Sequence, residues 1–253
     1  QVMRVQPFDF FKQLGSDPQG MAPSGRGAPV LTAGTRLGLF EVLRVVAQSA
    51  CSTTYLATDH ALGIQVAIQE YLPARFVLRD ADQCLRALDP AHDPAIALGR
   101  QAFIEEARML ARCDHPSLAR VSQLFDANGT SYRVTPFYDG QPLSEVRRSM
   151  SAAPDEAALR ALLDDLLGAL ATLHDSGCVH GGVTPASVLL LADDRPLLLG
   201  PGAADREVGD GLAPPTMQGL TPSPGHPPNG RAEAAPAAPS DPRVDLHALA
   251  EVI

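Results

Sequence analysis

The chain has 253 residues, 45% of them hydrophobic, and a formal net charge of −9, which is enough for one two-lobed domain or two small ones with a sizeable core. The acidic balance argues against a nucleic-acid or anionic-membrane partner, and no apolar run approaches the ~18 residues of a membrane span. Lys12 is the only lysine, so nearly all positive charge is arginine. Cys51, Cys84, Cys113 and Cys178 show neither C-x-x-C spacing nor a zinc-type Cys/His cluster, and they read as reduced, partly buried thiols of a cytoplasmic protein. The N-terminus lacks the apolar stretch of a signal peptide. A start at Gln1 and an end at Ile253 inside an apolar pattern point to a piece of a longer chain.

In chain order, residues 1–34 are rich in Gln, Pro, Gly and Ser without a sustained period, the composition of a disordered tail. Phe8, Phe10 and Phe11 stand out within it as a candidate docking segment. An extended pattern runs over 37–46, with further strands expected at 53–58 and 63–70; the turn between the first two, Ala47 to Ser52, holds no glycine. Residues 74–97 read as irregular, and Phe103, Ala107, Leu110 and Ala111 give a helix over 98–112. Strands are expected at 118–125 and 131–137, joined through Asn128-Gly129, a strong hairpin signal. A short helix fits 143–150. A long one fits 155–174, with Leu159, Leu162, Leu163, Leu166, Leu167, Leu170 and Leu173 on one stripe, Pro154 at its start and Gly177 past its end. Small strands follow at 189–192 and 196–199. Residues 203–243 are dominated by Pro, Ala and Gly, the composition of an inert linker or a polyproline ligand.

Two stretches carry a family resemblance. Val66-Ala67-Ile68-Gln69-Glu70-Tyr71-Leu72-Pro73 is similar to the V-A-I-K-E-Y-L-P of bacterial serine/threonine protein kinases of the eukaryotic-like type. The stretch Val179-His180-Gly181-Gly182-Val183-Thr184-Pro185-Ala186-Ser187-Val188-Leu189-Leu190 resembles their catalytic loop, H-R-D-x-K-P-x-N-x-L. The resemblance implies an α+β, bilobal, protein-kinase-like fold. Its N-lobe, over 35–138, would hold a five-stranded antiparallel sheet and helix αC. A partial C-lobe over 139–202 would carry αE and the catalytic loop, with a degenerate activation segment at 203–243 and the start of αF at 244–253.

On that alignment the chemistry is missing. Gln69 stands for the phosphate-gripping lysine, Gly182 for the catalytic Asp, Thr184 for the loop lysine, Ser187 for the metal-binding Asn and Gly200 for the metal-binding Asp of D-F-G. Glu106 falls at the αC glutamate and is left without its lysine. Structural positions are kept: His180, Asp245 (which in the family braces the catalytic-loop backbone), and Leu110 and Val121 of the apolar column between lobes. Ala67, the gatekeeper Thr135, the Pro136 carbonyl and the Tyr138 amide would frame an adenine slot. Phosphoryl transfer is mostly positioning and charge neutralisation, and each lost group is aimed at the phosphates, the metals or the substrate hydroxyl. The implied function is a pseudokinase that binds, scaffolds or regulates a protein partner, with no Mg²⁺ site and ATP admitted only through the slot. The other readings are a weakly active Ser/Thr kinase and a repurposed site acting on ATP.

Overall fold

The computed structural model describes residues 30–200 and 241–252. Of the tail expected over 1–34, residues 1–29 with Phe8, Phe10 and Phe11 lie outside the described residues, as does the proline-rich stretch from Pro201 to residue 240; residues 30–34 are instead ordered against the sheet, where Leu31 is buried and Gly34 N donates to the Val42 carbonyl. In chain order the strands and helices are β1 (Arg36–Leu37), β2 (Phe40–Gln48), β3 (Ser52–Asp59), β4 (Ile64–Tyr71), β5 (Val77–Arg79), β6 (Leu85–Ala87) and α1 (Asp93–Leu110). Then follow β7 (Gln123–Ala127), β8 (Thr130–Pro136), β9 (Gly140–Pro142), α2 (Leu143–Ser149), α3 (Glu156–Asp175), β10 (Val188–Leu191), β11 (Pro196–Leu198) and α4 (Arg243–Val252).

Alternating apolar positions bury one face of an antiparallel sheet ordered β1-β2-β3-β4-β8-β7. Tyr55, Ile68 and Tyr132 are wholly buried beside Val42, Val66 and Val134, and Phe40, Phe125 and Tyr132 stack in series. The sheet has six strands rather than five, because Gly38 at φ 61° folds Leu37 back on Phe40 and creates the short β1. Asn128 and Gly129, at φ 50° and 74°, make the expected tight turn between β7 and β8.

The stretch expected to be irregular, 74–97, holds a hairpin of β5 and β6, a 3-10 turn at Pro90–His92 and the first turn of α1. Its polar tip hid the strands. The Asp80 carboxylate accepts from the Asp82 and Cys84 amides and from Arg86 Nε at 2.6 Å, folding the tip on itself. Asp89 caps the following turn by accepting from Ala91 N. Helix α1 then lies close enough to β4 that a Cβ at Gly99 would collide with the Tyr71 hydroxyl. Burial pushes the Tyr71 phenol up to about 12.

The strand expected at 118–125 starts at Gln123 instead. Leu118, Ala119 and Val121 are buried, but Leu118 and Val121 belong to the helical core, where Leu118 makes a single parallel bridge to Leu198. That core gathers Ala107 and Leu110 of α1, Leu166, Ala169, Leu170 and Leu173 of α3, and Leu249 and Val252 of α4. Asp155 caps α3 by accepting from Ala158 N, and Gly177 at φ 76° ends it. A second sheet, ordered β11-β10-β9, flanks the helices; β9 escapes a sequence reading because Gly140-Gln141-Pro142 has no strand composition. Among the described residues, no helix is long and apolar enough to cross a membrane.

Candidate functional site

The site starts from a register. Strands β4 and β8 pair so that Ala67 faces Thr135 and Gln69 faces Arg133. Ala67 is buried to an intermediate degree, as is Thr135, Pro136 is exposed, and the half-buried Tyr138 turns its hydroxyl to accept from Arg120 N at 3.2 Å. Gln69 is 6% exposed, and both ends of its amide are used. Its Nε2 donates to Ser52 Oγ at 2.9 Å, and its Oε1 accepts from Arg133 Nε at 2.5 Å. Ser52 Oγ in turn lies 2.9 Å from Ser49 Oγ, so side chains close the glycine-free turn between β2 and β3.

Arg133 is the residue a sequence reading misses. It is 3% exposed, its Nη1 donates to Glu106 Oε1 at 2.5 Å, and its guanidinium stands 5.0 Å over the Phe103 ring. The sequence leaves Glu106 without a lysine; the structure supplies an arginine from the neighbouring strand. The available signal was a charge between Tyr132 and Val134, two apolar residues of a strand that is buried from Thr130 to Val134. Gly200 closes the same group. A Cβ there would lie 3.4 Å from Arg133 Nη2 and 3.1 Å from Leu110 Cδ1. Positions 69, 106 and 200, far apart in the chain, therefore converge on Arg133, and Leu110 joins them as their apolar floor.

The second group is the loop after α3. Thr184 and Ser187 close on each other: Thr184 N donates to Ser187 Oγ at 2.8 Å, and Ser187 Oγ donates to the Thr184 carbonyl at 2.9 Å. His180, 2% exposed, donates from Nε2 to the Leu199 carbonyl at 2.7 Å, which fixes the proton on that nitrogen because a carbonyl only accepts. Leu199 N donates to the Ser187 carbonyl at 2.8 Å, so the residue before Gly200 ties the two groups together. Asp245, wholly buried on α4, accepts from His180 N at 2.7 Å, from Gly181 N at 2.6 Å and from His174 Nε2 at 2.9 Å. Gly181 sits at φ 64°, a left-handed conformation that a side chain would strain. Val121 lies in the helical core with Leu110.

A kinase metal pair does not fit this set. Gly182 and Gly200 carry no side-chain ligand atom, the Ser187 hydroxyl is engaged within its own loop, and no group of three or more His, Cys, Asp or Glu among the described residues is arranged to hold a metal ion. Cys178, beside this loop, has its thiol pushed up to about 11, first by burial and then by the nearby Glu106. Because Cys178 is 4% exposed and its thiolate is further suppressed by that burial, iodoacetamide at pH 8 should label it far more slowly in the folded protein than after denaturation, as read by peptide mass spectrometry. Labelling of Cys178 in the folded protein at the rate of a free thiol would contradict this burial.

No protein-family model matches the chain. The serine/threonine-protein kinase pkn2 of Myxococcus xanthus is 28% identical over 159 residues, covering 62% of this chain and 17% of that protein. Among solved structures, PpkA-294 in its apo form superposes with a TM-score of 0.64 at 31% identity, over 70% of this chain and 63% of that one. The Mycobacterium tuberculosis PknI kinase domain, in a cysteine-to-alanine mutant form, superposes with a TM-score of 0.52 at 23% identity, over 69% of this chain and 64% of that one. The chain thus spans about a sixth of the length of pkn2 and under two thirds of either solved chain. Its curated relatives include bacterial serine/threonine protein kinases, and over about two thirds of the chain its fold is that of a protein kinase domain.

Proposed function

We propose that this chain is a pseudokinase module: the sheet-bearing lobe and first helices of a kinase-like domain, kept for binding or regulating a protein partner in the cytoplasm. One observation carries this reading. The three positions that would hold catalyst and metals offer no side-chain ligand, since 182 and 200 are glycines and the hydroxyl at 187 is engaged by Thr184. Phosphoryl transfer needs a group that orients the attacking hydroxyl and cations that neutralise the phosphates. Losing one such group costs a kinase orders of magnitude in rate. Arg133, the buried cation beside Gln69, is paired with Glu106, so its charge is already offset within the protein.

Incubation of the full-length protein with labelled ATP and Mg²⁺ tests the reading. The expected result is no incorporated label and no Mg²⁺-dependent shift in melting temperature. Label incorporation that disappears on changing Glu106 would overturn it in favour of a weakly active or repurposed Ser/Thr kinase. That second reading draws on the kinase relatives and on the Ala67–Thr135 register, which sets Pro136 and Tyr138 just beyond it, at positions that the family resemblance gives to an adenine slot.

A further inference from the structure

In kinases of the type this sequence resembles, the lysine at the position of Gln69 would do two things: grip nucleotide phosphates and pair with the helix glutamate. We infer that Arg133 has taken over the second task alone, from the neighbouring strand, and is the positioning residue that seats helix α1 against the sheet. The inference stands on geometry whether or not the chain transfers phosphate.

Three contacts argue it. Arg133 touches α1 through two side chains one turn apart, bonding Glu106 at 2.5 Å and covering Phe103 at 5.0 Å. It is 3% exposed, so its charge is held where water screens it little. It also bonds Gln69 Oε1 through Nε, and this third contact couples the two positions. Residues 69 and 133 face each other across β4 and β8, and directly opposed side chains share one face. A cation at both would be repulsive; a glutamine at 69 instead offers Arg133 an acceptor. The neutral residue at 69 is therefore the complement of the arginine at 133, and the position of the cation has moved from one strand to the next while its partner Glu106 stayed. Because both partners belong to the protein, the seating of α1 requires no nucleotide.

The test is a four-member set of the full chain: wild type, Arg133→Met, Gln69→Lys, and both together. Thermal unfolding and hydrogen exchange of the peptides spanning α1 are read without nucleotide. Arg133→Met should lower the melting temperature by about 5–10 °C and speed exchange in α1 about tenfold or more. Gln69→Lys should destabilise the wild type by setting two cations face to face. In the Arg133→Met background the same change should stabilise the protein and restore protection of α1, since the lysine then reaches Glu106. This reversal of sign is something a merely space-filling arginine would not produce. Equal decrements from Gln69→Lys in both backgrounds, or unchanged α1 exchange in Arg133→Met, would overturn the inference. If Arg133→Met alone does not fold, folding of the double variant supports it and failure of the double variant overturns it.

Discussion

Replacing Glu70 with alanine is expected to cost about 3–5 kcal/mol and to lower the melting temperature by about 10 °C. Glu70 is wholly buried at the end of β4, and its carboxylate is the acceptor for three side chains: Tyr55 Oη at 2.6 Å, Tyr132 Oη at 2.6 Å and Arg79 Nη2 at 2.7 Å. Burial pushes both tyrosine hydroxyls well above the ordinary phenol range, and the adjacent carboxylate adds to this, so both remain neutral donors. Burial works against the charge of Arg79, and the Glu70 carboxylate outweighs it. Truncating Glu70 takes the carboxylate away from a guanidinium with 7% side-chain exposure, which is why the loss should exceed that of an ordinary cavity. Removing both charges, as Glu70→Met with Arg79→Met, should recover a large part of the loss but not all. Tyr55 and Tyr132 would still lose their acceptor, although each hydroxyl also accepts a bond, from Leu31 N and Asn128 Nδ2 respectively. Urea unfolding of the two variants decides the matter: equal losses would show that the uncompensated charge is not the cause.

Asp245→Asn should cost about 3 kcal/mol. The two backbone donors of His180 and Gly181 bond separate oxygens of this carboxylate, and His174 adds a third bond. Asparagine keeps one acceptor and turns an amide NH₂ toward an N–H, a donor facing a donor in a site with no access to water. The change should appear locally as well as globally, with faster hydrogen exchange at the His180 and Gly181 amides than elsewhere in the helical core. A melting temperature within about 2 °C of wild type, with those amides still protected, would mean that α4 does not hold the loop.

The sequence made the sheet and long helices legible because their signals are strong and local. The Val66–Tyr71 run, the Asn128-Gly129 turn and the leucine stripe from Leu159 to Leu173 are each written in neighbouring residues. The β5–β6 hairpin was not legible: its strands are three residues each and are set by an Asp80-centred tip rather than by alternation. The strand expected over 118–125 failed for the opposite reason, since burial of Leu118 and Val121 looks alike whether the partner is a strand or a helical core. In the site, the replaced positions were readable one by one from the resemblance. What joins them was not, because Arg133 and Gln69 are 64 residues apart and only strand register brings them face to face. Glu70 was visible as part of a matching run, yet its role as the acceptor for two tyrosines and an arginine exists only once β3, β4, β5 and β8 have met.

The carboxylate that fixes the His180–Gly181 turn comes from a residue 64 positions further along the chain than Gly181. During synthesis at about 5–20 residues per second, roughly 3–13 s pass between the emergence of the two. The six-stranded sheet takes no strand from that late segment, because its pairings close within residues 36–136. The nascent protein therefore acquires its order in two instalments, and a ribosome stalled before Asp245 would display a finished sheet with the loop still without its anchor.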